Sequence, residues 1–595
     1  MSAVSGGRRR ARPRQHVVRW LIVGIVILLV LCVAWIGIRA VLAKGHLEKS
    51  VSLASTVEKQ IENGDASGAQ ATAAQLASNA DDARKLTSDP VWRAAEILPL
   101  VGSDLRAVRQ VSAVLSNVSD NAIVPVAKVA GTVSVAQFKP VNGAVDLKPL
   151  AAAQPQVAAA ARDLRGQLKV ARTIDTSGTI TQVDDAVDQM VGVLTKASVA
   201  ADEADQAMTL LPQMLGTDGP RNYLILFQNN AELRASGGIP GSLAIIHADN
   251  GKITLGQQAS DADFAQLPAP IFKLPTETEG IYGSITGEFM QDVTLTPKFD
   301  LSAKLASAMW KQKYGTTVDG VISVDPVALS YILGATGPVT LPTGEQLTGQ
   351  NAVATLLSDS YAKYPVPAEQ DAFFAGAANS VFAKVASGSF DPKALLTALT
   401  HATDEHRLRL WSNRPTEQKT IAETALSGAL PTSTAKKPAF GVYFNDATGA
   451  KMDYYLTTRV SVGQAVCRKD GRPDWVIEVT MTNTAPADAA TSLPEYVTGG
   501  DVYGVPAGNV RTEVSIYAPK TGVFVGATQD GTPRSLHNAT DSGYPVAQYQ
   551  TELSPGKSTT WRIEFLGATP KSALPSIVST PGVHPIVAKK MSVSC

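Results

Sequence analysis

Hydrophobic and polar positions along this chain change their period three times, and each change marks a boundary. An uncharged run from Trp20 to Ile38 comes first. With about 20 residues it is long enough to cross roughly 30 Å of hydrocarbon as a helix. Leu47, Val51, Ala54, Val57 and Ile61 then recur at three- and four-residue spacing, which places them on one helix face. Asn63-Gly64-Asp65 interrupts that helix. Asp89-Pro90 reads as an N-cap followed by proline at the first helical position, opening a helix with Trp92, Ala95 and Ile97. Leu98-Pro99-Leu100-Val101-Gly102 ends it, and Asp104 starts the next through Leu105, Val108 and Val111. The pattern predicts a helical stalk or bundle over 44–214.

At Arg221 the period becomes extended. Asn222–Gln228 and Ser242–Ala248 are short β-rich runs, and Asn250-Gly251 signals a type I′ hairpin before Lys252–Leu255. Helical and extended stretches then alternate: Leu301–Lys313, Val318–Val324, Pro326–Leu333, and helices around Gln350–Tyr361, Gln370–Ala386 and Pro392–His401. Such alternation predicts a central α/β (α+β) domain over 215–435, a sheet covered by helices. From Phe440 the helical pattern disappears. Val476–Asn483, Val510–Tyr517, Val546–Leu553 and Thr559–Phe565 read as strands between Gly, Pro, Asn and Asp turns. They predict an antiparallel all-β sandwich over 440–595, with Trp475 and Trp561 in its core.

Charge adds topology. Arg8, Arg9, Arg10, Arg12, Arg14 and Arg19 precede the apolar run with no acid among them, against Arg39 and Lys44 after it. Retention of cations on the cytoplasmic side makes 1–19 a cytoplasmic basic tail and 20–43 a single-pass signal anchor, with the bulk of the chain extracytoplasmic. A cleavable signal peptide is the alternative, but the run exceeds a typical h-region and no Ala-x-Ala-like site follows it. The whole chain balances 53 basic against 53 acidic residues, which argues against a nucleic-acid partner. Cys32 falls in the span. In an oxidising compartment Cys467 and Cys595 are expected to form a disulfide, two free thiols being the alternative.

The most unusual segment is Gln228–Gly241, read as a loop joining two strands. Asn229, Asn230, Glu232, Arg234, Gly237 and Gly238 offer hydrogen-bond groups, one fixed cation and a closely approachable backbone suited to a phosphate or carboxylate, with Arg221 as a second cation. The structural alternative has the asparagines capping the strand end and Arg234 paired with Glu232 or a nearby Asp. Asp261 and Asp263, after the third strand, are candidate Mg²⁺ ligands or ordinary loop caps. His401 and His406 flank Ala-Thr-Asp-Glu, which lacks metal spacing, and no Gly-x-Ser-x-Gly elbow occurs.

Two resemblances follow from these residues. Arg221–Arg234, Ser236–Ser242, Asp249–Lys252, Asp89–Trp92, Leu98–Gly102 and Lys451–Tyr455 resemble the domain of unknown function 4012 family of membrane-anchored bacterial envelope proteins, which carries no established activity. Thr317–Leu329, Leu333–Val339 and Leu347–Ala352 are similar in order and spacing to LytR-CpsA-Psr enzymes. That resemblance implies an arginine-rich pocket and an Mg²⁺-binding acid that grip a polyprenyl pyrophosphate for transfer of its glycopolymer to peptidoglycan. Arg234 falls near one family arginine, and Asp261 or Asp263 falls where an Arg-Asp pair is expected, without the arginine. The later arginine stretch reads Ser358–Pro365 and Glu369–Asp371, with none.

The combined expectation is an extracytoplasmic, membrane-anchored envelope protein that binds a prenyl-pyrophosphate-linked or glycan ligand in wall or surface-polymer assembly. A degenerate glycopolymer phosphotransferase is one form of it. The alternative is a non-catalytic structural or interaction scaffold.

Overall fold

The computed structural model describes residues 14–131, 135–434, 437–568 and 573–595; Arg8, Arg9, Arg10 and Arg12 of the basic tail lie outside them. The chain divides into two compact units. The first comprises Met1–Ser134 and Leu147–Leu211, the second Val135–Asp146 and Pro212–Cys595.

Helices build the first unit: α1 (Arg14–Glu62), α2 (Ala66–Thr87), α3 (Pro90–Ala95), α4 (Gly102–Val118), α5 (Val124–Ala130), α6 (Lys148–Ala171) and α7 (Thr181–Met214). The apolar run does not end in a break; α1 continues through it for 49 residues, about 73 Å at the usual helical rise. Leu21 to Leu31 are exposed apolar side chains along the first part of α1, whereas Ala43, Ser50 and Val57 are buried further on. One helix thus supplies both an apolar segment long enough to cross a membrane and a wall of the bundle. Asp65 caps α2 by accepting Gly68 N–H at 2.9 Å, and Asp89 caps α3 by accepting Val91 and Trp92 N–H. α4 begins at Gly102, two residues before the expected Asp104 start. The α2 seam is Ala69, Ala73, Leu76, Ala80 and Ala83, all fully buried. Side chains this small let helices approach closely, so the alanine-rich composition is the packing surface of the bundle.

In the second unit, β1 (Arg221–Arg234), β2 (Gly237–Asp249), β3 (Lys252–Ser260), β4 (Gly320–Val324) and β7 (Arg409–Ser412) form one sheet in the order β3-β2-β1-β4-β7. Only β1 and β4 run parallel, Tyr223 opposite Gly320; β5 (Val339–Thr340) and β6 (Gln346–Leu347) make a separate ribbon. The β2–β3 turn takes φ of 48° at Asn250 and 82° at Gly251, as a type I′ turn requires. Leu224, Leu226, Leu243, Phe299, Trp310 and Trp411 centre the core under this sheet. Residues 135–146 belong here too: Ala144 bridges Lys252, and Val145 N–H donates to Gly251 O at 2.9 Å.

After it come β8 (Ala439–Asp446), β9 (Leu456–Ala465), β10 (Asp474–Asn483), β11 (Val510–Tyr517), β12 (Val523–Gln529), β13 (Thr532–Pro533), β14 (His537–Asp541), β15 (Tyr544–Leu553), β16 (Ser558–Leu566), β17 (Ser576–Ser579) and β18 (Lys589–Lys590). They form two sheets, β13-β12-β16-β10-β9-β18 and β14-β15-β11-β8-β17. Alternate residues of both sheets, among them Phe440, Phe444, Trp475, Ile477, Trp561 and Phe565, share one core, which makes a sandwich. Cys467 and Cys595 are disulfide-bonded, tying the chain end to the segment after β9. An apolar helix of this kind together with a disulfide indicates an extracytoplasmic protein, secreted or membrane-anchored.

Candidate functional site

Gln228–Gly241 is not a loop. β1 runs on through Arg234 and β2 starts at Gly237, so only Ala235 and Ser236 connect them, and register shifts at Phe227/Gln228 and Asn229/Leu233 bend the ribbon. Extended residues leave half their side chains on each face. Here both faces are covered, because the hairpin tip enters the sandwich and Leu233 joins the sandwich core.

Backbone and side chains of the tip find partners there. Leu233 N–H donates to Asp453 Oδ2 at 2.8 Å, Ala235 N–H to Asn445 Oδ1 at 2.8 Å, and Thr580 Oγ1 to Ala235 O at 3.1 Å. Asn229 Nδ2 donates to Glu232 Oε2 (2.7 Å) and to the Tyr361 hydroxyl (2.9 Å). Asn230 Nδ2 donates to Asp325 Oδ2 and Pro581 O. Lys451 Nζ lies 2.7 Å from Glu232 Oε2, and over the rings of Tyr361 and Tyr496 at 4.9 and 4.4 Å. Burial works against its ammonium, yet Glu232 outweighs it and holds Lys451 above its ordinary value. Arg234 pairs with Asp292 at 3.0 Å and also donates to Asp446 O. Burial, then the neighbouring Asp446, pushes the Asp453 carboxyl well above its ordinary value.

The glycines serve this packing. A Cβ on Gly238 would stand 2.2 Å from Asn229 O, and one on Gly237, whose φ is 132°, would stand 1.9 Å from Gln228 Oε1. They let two strands close with no loop.

Arg221 lies at the opposite end of β1, about 40 Å from Arg234 at the usual strand rise. It is 1% exposed and pairs with Glu417 at 3.2 Å and Asp319 at 3.5 Å. The two candidate cations therefore share no pocket. Asp263 accepts Ser260 N–H at 2.9 Å and closes the turn after β3. Asp261 is half-buried, and burial, then the charge of Glu232, raises its carboxyl to about 7, with Lys451 opposing. Among the described residues no group of three or more His, Cys, Asp or Glu gathers as a metal site.

A second polar cluster, which no sequence motif marked, stands just past the carboxyl end of β4, beside Asn230 of β1. Arg407 Nη1 donates to Asp325 Oδ2 (2.8 Å) and Gly582 O (3.0 Å), and its Nε to Glu405 Oε2 (2.5 Å). Asp325 also caps α10 (Pro326–Thr336) through Ala328 N–H. Alongside opens a cleft of about 710 Å³, with Glu405, His406 and Arg407 on one wall and Ile577, Pro581 and Val587 on another. Burial, then Arg409, lowers His406 to about 4, so its ring is neutral near pH 7. No sequence spacing flags Arg407; Asp325-Pro326 after a strand was the one legible cue. Lys451 was equally hidden, since its string Lys451–Tyr455 carries nothing that ties it to Glu232.

Residues 218–361 match the family model described as protein of unknown function (DUF4012). The matched segment, about a quarter of the chain, contains the whole hairpin and ends at Tyr361, but excludes Lys451 and the sandwich that receives the tip. No curated protein matches the chain, and no solved structure does.

Proposed function

We propose that this chain is a membrane-anchored, extracytoplasmic protein of the cell envelope that acts as a non-catalytic scaffold, its central domain being a diverged LytR-CpsA-Psr-like core. One observation carries the reading: the polar groups a lipid pyrophosphate would need are committed inside the protein. Arg234 is held by Asp292, Glu232 by Lys451, and Arg221 by Glu417 and Asp319. A pyrophosphate requires cations whose charge is not already neutralised. Such a hairpin works as a strut, making central domain and sandwich one body.

One observation favours the ligand-binding alternative. The cleft beside Arg407 sets that cation among apolar residues such as Ile577, Pro581 and Val587 and lies past the carboxyl end of β4, the kind of strand end at which ligands of α/β proteins collect. A prenyl chain or glycan bound there, with Mg²⁺ on its pyrophosphate, would make the chain a degenerate relative of the transferases.

Titration of the full-length protein with a prenyl pyrophosphate and Mg²⁺ separates them. The scaffold reading expects no saturable binding. Binding removed by Arg234→Ala would overturn it in favour of the hairpin, and binding removed by Val587→Trp would overturn it in favour of the cleft.

A further inference from the structure

Where α1 leaves its apolar run, the bundle presents a second apolar feature that its own packing does not use. α2 runs back toward that level: Arg39 donates through Nη2 to Lys85 O (2.7 Å) and through Nε to Leu86 O (2.8 Å), and pairs with Asp89 at 3.2 Å. α3 continues past it, since Trp92 and Ala95 pack on Ile36 and Ala40 at the end of the run. α4 then turns the chain away, with Trp92 Nε1 donating to Leu105 O at 2.9 Å. The connection between α3 and α4, Ile97–Val101, is therefore the turn at the apex of the bundle beside the apolar segment.

Four of its five residues are large, apolar and exposed: Ile97 by 84%, Leu98 by 51%, Leu100 by 93% and Val101 by 47%. Leu100 takes a φ of 77°, a region leucine rarely adopts. The α6–α7 connection meets the same apex, where Ser103 Oγ donates to Gly178 O at 2.7 Å and Ile180 N–H to Asp104 at 2.9 Å; Ile180 is also exposed. Arg93, four residues before Ile97 in the chain, is exposed, and Arg109 is paired with Glu96 at 2.5 Å. An exposed apolar tip with an exposed arginine close by in the chain matches a bilayer interface, acyl chains taking the tip and phosphate headgroups the cation.

We propose that Ile97–Val101 is a second membrane contact, inserted into the leaflet from which α1 emerges. The bundle then stands on the bilayer at two points, which fixes its tilt; a single helix leaves it free to swing. The occupant is lipid, because the tip is continuous with the segment that α1 offers to the membrane. The inference rests on reading α1 as a membrane span.

The test uses full-length protein, carrying Cys32→Ser, in vesicles of phosphatidylcholine and phosphatidylglycerol, spin-labelled without reductant so that Cys467–Cys595 stays closed. Labels go one at a time at Leu100→Cys, Val26→Cys and Ser67→Cys, the last at the far end of α2, about 30 Å away. Relative collision with oxygen over a water-soluble nickel chelate should be several-fold higher at 100 than at 67, and of the same sense as at 26. A label at 100 that reads as aqueous as the one at 67 overturns the proposal. So does one shielded from both reagents, which would mean that protein covers the tip. An aqueous label at 26 instead defeats the span reading itself.

Discussion

Lys451 and Glu232 meet at 2.7 Å across 219 residues of sequence, one at the entrance of the sandwich and the other at the tip of a hairpin from the central domain. Both side chains are largely buried, 7% and 17% exposed. Removing one partner strands the other's charge, which typically costs about 3–5 kcal/mol, whereas replacing both by apolar groups is often neutral. Lys451→Met and Glu232→Gln should each lower stability by about that amount, and the double variant should lose less than the sum of the two. Denaturant titration of all four proteins in a double-mutant cycle measures it.

The closed hairpin predicts intolerance at Gly238. A methyl there meets the backbone carbonyl of Asn229, which cannot rotate away as a side chain could. Gly238→Ala should destabilise by about 1–3 kcal/mol, the usual range for overpacking. Gly241→Ala, whose Cβ would meet nothing within 4 Å, is the control expected to change little. Thermal melts of the two variants distinguish the cases.

Asp261 gives a pH dependence of definite sign. Its folded carboxyl titrates at about 7 against an ordinary 3.8, so between those values the folded protein holds a proton that the unfolded chain has released. Stability therefore falls as pH rises through this window. Asp261→Asn removes the charged form and should leave stability unchanged near pH 4 but raise it near pH 8. Melting temperature against pH for both proteins checks this; parallel curves would exclude Asp261 as the source.

Cys467 and Cys595 close a loop 128 residues long. Removing a native disulfide of an exported domain commonly costs about 2–5 kcal/mol. Cys595→Ser should lose stability in that range, and reductant should affect the wild type but not the variant. Free-thiol titration under denaturing conditions checks the bond itself.

Periodicity determined much of this protein. The apolar run, the helix face of Leu47, Val51, Ala54, Val57 and Ile61, the β runs at 222–228 and 242–248, the Asn250-Gly251 turn and the later strands all express local rules of helix faces, strand alternation and turn chemistry. Such rules act over a few residues, so they are readable without a fold. What Gln228–Gly241 becomes is not local. Asn, Glu, Arg and Gly in succession look like a ligand loop because polar residues and glycines usually mark turns. Here they form a buried hairpin, and what makes burial tolerable is a set of partners, Asp292, Asp325, Tyr361, Asn445, Lys451 and Asp453, contributed from up to 220 residues away. Only tertiary structure brings those groups together, since compensation of a buried charge or amide depends on distance in space and not on spacing in sequence. Arg221 and Arg234 show the same division: as residue types they suggest an anion site, while the fold sets them at opposite ends of one strand, each in an ion pair with acids distant in sequence.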